Sequence, residues 1–182
     1  LVGDVRVRRY AKLDRQNDEE YRADATTAID ITRRTALSAA AGWSRSTAIR
    51  GSFENGLQVG GPLRQTRAKM RITARHTFNR LILTGGLSGE RFRYDNVLLD
   101  DGTVIDQSFR DGSRFSQILG ANYEIAPRLS LTSQATFDTH RFKESRPAFN
   151  RDAKGQSFIA GVRYELTRLL IAEFGAGIRN HD

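Results

Sequence analysis

Cysteine is absent from all 182 residues, which removes disulfides, thiolate metal sites and cysteine nucleophiles from consideration while leaving the redox compartment open. Long apolar runs are missing as well. No stretch approaches the roughly 18 residues of a membrane-spanning helix, and only 38% of the chain is hydrophobic, a thin supply for a water-soluble core. Histidine is scarce: His76, His140 and His181 are the three imidazoles on offer for acid–base work. Acid is in deficit, with 21 acidic against 29 basic residues and a net charge of +8. Such a balance suits nucleic acid, an anionic membrane surface or an acidic substrate. The chain opens on Leu1, and no charged segment leads into an apolar one, so it reads as a mature chain or a fragment.

What the sequence has in abundance is alternation, the period-2 signal of a strand with one apolar face. Val5 and Val7 stand between Asp4, Arg6 and Arg8; Tyr21, Ala23, Ala25, Thr27, Ile29 and Ile31 oppose Arg22, Asp24, Thr26 and Asp30. Leu37, Ala39, Ala41 and Trp43 form a third run, and Ala68, Met70, Ile72 and Ala74 a fourth against Arg67, Lys69, Arg71 and Arg75. Five more follow, carrying Leu81–Leu87, Ala121–Ile125, Leu129–Phe137, Phe158–Tyr164 and Leu170–Ile178, which makes nine strands.

The connections alternate in length. They are short around 34, 78, 127 and 167, and long and polar over 14–20, 46–62, 95–113 and 141–155. Repeated hairpins with two unlike ends describe an up-and-down meander. The runs are about eleven to fifteen residues long, against about five or six for an ordinary soluble strand and about 9–11 for one that crosses a bilayer. Length therefore favours a transmembrane barrel whose apolar face meets lipid. Aromatic placement agrees, because such barrels carry aromatic girdles at both interfaces. Tyr21, Trp43, Phe115, Phe137 and Phe158 fall near the long-loop ends of their strands, and Tyr123 and Tyr164 beside short turns.

The wording "GANYEIAPRLSLTSQATFD", "HTFNRLILTGGLSGERFRYDN" and "GVRYELTRLLIAEFGAGIRN" resembles the outer-membrane β-barrel proteins of Gram-negative bacteria. Within them it is most similar to porin-type barrels associated with surface or exopolysaccharide export. The resemblance implies an all-β, antiparallel up-and-down transmembrane barrel forming a single domain over 1–182, in the bacterial outer membrane, with short turns periplasmic and long loops extracellular. An odd number of strands departs from the even number of bacterial single-chain barrels, so further strands are expected beyond this sequence.

In that barrel Arg6, Arg8, Arg22, Arg67, Lys69, Arg71 and Arg75 face the lumen, since an Arg on the lipid face costs roughly 2–4 kcal/mol near the midplane. A basic lumen attracts anionic solutes or an acidic polysaccharide; a lumen of Arg–carboxylate pairs instead rigidifies the wall. The expected function is a pore or export conduit, and the alternative is a structural barrel that anchors a periplasmic or surface partner protein. No catalytic residue, metal or cofactor is assigned. Asp138 and His140, two residues apart near a rim, suit ordinary polar lumen residues better than a hydrolase. Asp100, Asp101 and Asp106 around Gly102 lack the spacing of an EF-hand. Basic residues scattered over many strands, without a recognition helix or an aromatic ladder, exclude nucleic acid as the partner and leave outer-membrane lipid.

Overall fold

The computed structural model describes residues 1–8, 18–47, 63–98, 102–143, 151–167 and 169–181, with backbone alone at Arg8, Asp18 and Leu98. Nine strands form one antiparallel sheet in which neighbours along the chain are neighbours in space. They are β1 (Val2–Arg8), β2 (Asp18–Thr32), β3 (Thr35–Thr47), β4 (Arg64–Phe78), β5 (Leu81–Tyr94), β8 (Gly112–Ala126), β9 (Leu129–Phe142), β10 (Ala153–Glu165) and β11 (Ile171–His181). Between β5 and β8 lie a two-stranded hairpin of β6 (Val97–Leu98) and β7 (Val104–Ile105), and a 3-10 turn at Ser108–Arg110. The sheet is open, with β1 and β11 at its edges.

Alternation fixes the faces and the register carries them across the sheet. Because the side-chain period is two, each strand must pair in the phase that keeps apolar residues together. Ala39 pairs with Ile72, Ile72 with Leu87, and Leu119 with Ala135. From Thr66 to Phe78 on β4, and from Ser113 to Ile125 on β8, the apolar face holds no Asp, Glu, Lys or Arg. Arg45, Arg91, Arg93 and Arg141 share that face only at the long-loop ends of their strands.

The strands run further into the long connections than alternation alone suggests. β2 begins at Asp18, because Asp18–Glu20 pair with Arg6–Arg8; β9 continues to Phe142 and β10 starts at Ala153. The short turns are tight. Asn79–Arg80 and Pro127–Arg128 use one left-handed residue each, Asn79 at φ 44° and Arg128 at φ 70°, a conformation common in tight turns.

A soluble protein hides its large apolar side chains, and this one displays them. Among the described residues only Leu63, Val97 and Gln107 are buried, all in segments flanking strand ends. Met70, Ile72, Leu87, Leu119, Leu131 and Phe158 are each 44–59% exposed. The polar face is the more crowded one. Along β5 every even residue from Ile82 to Tyr94 is half-buried, whereas Leu83, Leu87, Arg91 and Arg93 opposite are exposed. A sheet curled toward its polar face produces this difference.

Candidate functional site: a charged polar face and its aromatic rim

One lateral row crosses the polar face from β2 to β9: Asp24, Gly42, Lys69, Glu90, Arg114 and His140 stand in register on successive strands. Charge alternates along it. Lys69 Nζ lies 3.1 Å from Asp24 Oδ1, two strands away, and Arg67 Nε lies 3.1 Å from Glu90 Oε1 on the neighbouring strand. Arg22 joins Asp24, Arg6 meets Glu20 at 3.5 Å, and Arg114 bonds His140 through Nε and Nε2. These groups are wet, with Lys69 54% and Arg67 48% exposed, so each pair adds little to the stability of the fold. Their larger effect is geometric, because each pins a long side chain against the wall.

Gly42 makes the Lys69–Asp24 contact possible. A Cβ there would stand 2.5 Å from Lys69 Cε and 2.6 Å from Asp24 Oδ1. The missing side chain on β3 is the gap through which β4 reaches β2.

Two of the seven cations singled out by sequence behave differently. Arg71 sits at the middle of β4 and Arg75 three residues from its short-turn end, both on the polar face, and among the described residues neither has a carboxylate partner. Their lateral neighbours are small: Ala40 and Ser88 beside Arg71, Ala36 and Thr84 beside Arg75. Arg6, Arg22, Arg67 and Lys69 are all ion-paired. Arg8 ends β1 in the same phase, and its side chain lies outside the described residues.

At the long-loop end the polar face carries aromatics that alternation alone did not single out. Phe92 meets Phe142 edge-on at 5.9 Å and Tyr94 at 6.4 Å, and His140 lies 6.1 Å from Phe142. Guanidiniums cover two of the rings: Arg110 lies 4.6 Å from the Tyr94 centroid and Arg151 4.4 Å from that of Phe142. Gly112 admits the Phe92 ring, since a Cβ there would meet Phe92 Cζ at 2.9 Å and the Arg141 carbonyl oxygen at 2.6 Å. Parity was the available signal, because Phe92 and Tyr94 share the phase of Thr84 and Ser88.

The segment between β5 and β8 is tied to this rim. Asp111 Oδ1 accepts the Tyr94 amide at 2.8 Å, Asp95 donates its amide to the Arg64 carbonyl at 3.0 Å, and Gln107 donates to Asn96 Oδ1 at 3.2 Å. Asp106 accepts from both the amide and the hydroxyl of Ser108, at 2.8 and 2.9 Å. These bonds hold its carboxyl below the usual carboxylate range. Asp100 and Asp101 lie outside the described residues, and Asp106 is committed to Ser108 rather than to a cluster of acids. Asp138 and His140 share the polar face of β9; His76 stands on the apolar face, its Nδ1 2.8 Å from Thr35 Oγ1.

The sequence-predicted aromatics all stand on the apolar face, and the register arranges five of them in order. Trp43 on β3 is in line with Ala68, Arg91, Ser113 and Arg141 on the next four strands. Phe115, Phe137 and Phe158 fall progressively below that line. Phe158 on β10 is level with Ala135, six residues along β9 from Arg141 and five strand steps from Trp43. With about 3.3 Å per residue and about 4.8 Å between strands, the diagonal slopes by about 40°. That matches the strand tilt of roughly 35–45° in transmembrane barrels. Tyr21 extends the upper line on β2, and Tyr123 and Tyr164 form a lower one beside the short turns.

The sheet resembles those of solved structures. "OmpT (in-vitro folded), an outer membrane protein Vibrio cholerae (trimer form)" aligns with a TM-score of 0.63 at 13% identity, over 90% of this chain and 46% of that one. The toluene transporter TodX of Pseudomonas putida aligns with a TM-score of 0.49 at 10% identity, over 91% of this chain and 56% of that one. The chain thus spans about half the length of the solved structures it matches. No curated protein matches it. The family model described as "Putative beta-barrel porin 2" matches residues 1–182. With a match along its whole length and an up-and-down sheet like that of outer-membrane barrels, the chain belongs to this porin family and its place is the bacterial outer membrane.

Proposed function

We propose that the polar face is the wall of an aqueous passage that favours anions, with Arg71 and Arg75 supplying the field that selects them. The observation that carries this reading is the pair's freedom: two polar-face guanidiniums, one at the centre of β4 and one nearer its short-turn end, beside small neighbours and without carboxylate partners among the described residues. A cation neutralised by an adjacent acid contributes a dipole. An unpaired one in a narrow water-filled space between low-dielectric walls focuses its field along the passage. Anionic solutes, an acidic polysaccharide among them, are the class such a wall attracts. The paired residues Arg67–Glu90 and Lys69–Asp24 stiffen the wall that presents Arg71 and Arg75.

In the same reading the short turns are periplasmic, the long loops are extracellular, and the two aromatic lines are interfacial girdles. The protein conducts and does not catalyse. The test is the reversal potential of the full-length protein in planar bilayers under a potassium chloride gradient. Anion preference is expected, reduced by Arg71→Gln combined with Arg75→Gln. Cation preference, or no conductance steps at all, would overturn the reading; the latter would favour a structural barrel that anchors a partner protein.

A further inference from the structure

Three successive short turns present an arginine at the same structural position. Arg34, Arg80 and Arg128 each immediately precede a strand, β3, β5 and β9. Each gives its carbonyl to the amide of the next hairpin: Thr77 to Arg34 at 2.8 Å, Glu124 to Arg80 at 2.8 Å, and Glu165 to Arg128 at 2.9 Å. The repeated bond sets these residues at equal depth, two strands apart, or about 10 Å. Arg33 adds a fourth cation in the first turn.

These arginines differ from those at the other end of the strands. All four are exposed, and among the described residues none has an ion-pair partner. Glu124 and Glu165 stand beside Arg80 and Arg128 in the backbone register, on the polar face, yet neither carboxylate forms an ion pair with the arginine beside it. A row of like charges without counterions is repulsive in isolation, so an anionic surface opposite it is favoured. Arg128 makes the same point from the backbone. At φ 70° glycine is the cheaper residue, and here the position is occupied by a cation.

The chemistry around the row identifies the surface. Tyr123 and Tyr164 flank it on the apolar face, and the fourth turn exposes Leu169 at 99% and Leu166 at 46%. Fully exposed leucine beside tyrosine and arginine suits the boundary between acyl chains and headgroups. There leucine enters the chains, tyrosine sits at the interface and arginine reaches the phosphates. We propose that Arg33, Arg34, Arg80 and Arg128 form a collar that binds the phosphate groups of anionic phospholipids at the short-turn surface of the membrane. The proposal rests on the membrane-barrel assignment and is independent of whether the barrel conducts.

The experiment uses the full-length protein in phosphatidylcholine bilayers with trace spin-labelled phosphatidylglycerol or phosphatidylcholine, and reads the fraction of each label immobilised at the protein. The wild type should prefer phosphatidylglycerol by about five-fold, the ratio that one surface cation contributes. The preference should weaken in 1 M salt. Arg33→Gln, Arg34→Gln, Arg80→Gln and Arg128→Gln together should bring it near parity, while Arg71→Gln should retain it. If the fourfold variant does not fold, the pairs Arg33→Gln/Arg34→Gln and Arg80→Gln/Arg128→Gln should each remove part of it. No preference in the wild type, as expected if the collar faces an acidic protein instead, or full preference in the Gln variants, would overturn the proposal.

Discussion

Lys69 reaches Asp24 across an intervening strand, Nζ to Oδ1 at 3.1 Å, because β3 carries Gly42 between them. The contact links β2 to β4 across β3 through side chains alone, on a strand face where none of the described residues is buried. It is therefore a sensitive reporter of the register.

Gly42→Ala should part this pair with little loss of stability. The new Cβ meets the flexible Lys69 chain at 2.5 Å and the Asp24 carboxylate at 2.6 Å, and both can swing into water. Only a small change in urea unfolding within lipid is expected, because the ion pair it parts is wet. Gly42→Ala should leave little further effect for Lys69→Met, whereas Lys69→Met alone should cost as much as Gly42→Ala.

Adjacent residues on β4 should respond in opposite ways to the same substitution. Ile72 is on the apolar face, 44% exposed, and Thr73 on the polar one. Ile72→Arg should destabilise the folded barrel by roughly 2–4 kcal/mol, the penalty near a bilayer midplane. Thr73→Arg should change stability by less than about 1 kcal/mol, since it enters water. Equilibrium unfolding in lipid vesicles measures both.

Acid should loosen the segment between β5 and β8 at one point. The Asp106 carboxyl is held below its usual range, first by the Ser108 amide and then by the Ser108 hydroxyl. A depressed pKa gives stability that is present above the unfolded value of about 3.9 and is lost as pH falls through the lower folded value. The Ser108 amide resonance should therefore stay constant from pH 7 to about 5 and shift only below about 4. In Asp106→Ala it should hold a single position across that range.

The faces of the sheet were legible in the sequence because a period of two needs no tertiary information. Met70 and Arg71 must point apart wherever the strand lies. The order of strands followed from the short turns at Asn79–Arg80 and Pro127–Arg128, which admit only hairpins. Pairing of charges was not legible. That Lys69 meets Asp24, and that Arg71 meets no acid among the described residues, depends on which residues the register sets side by side. The rim was hidden for the same reason: Phe92 and Phe142 lie 50 positions apart and meet only through β8, whose Gly112 leaves room for the ring. The hairpin of β6 and β7 is too short for alternation to register.

Arg71 and Ile72, on neighbouring positions of β4, distinguish a polar face in water from an apolar face in lipid. The chain has no cysteine, so single thiols can be placed without background. In the full-length protein reconstituted in vesicles, a charged, membrane-impermeant thiol reagent should label Arg71→Cys and leave Ile72→Cys unmodified until detergent or denaturant is added. Equal labelling of the two, or labelling of Ile72→Cys alone, would contradict the account.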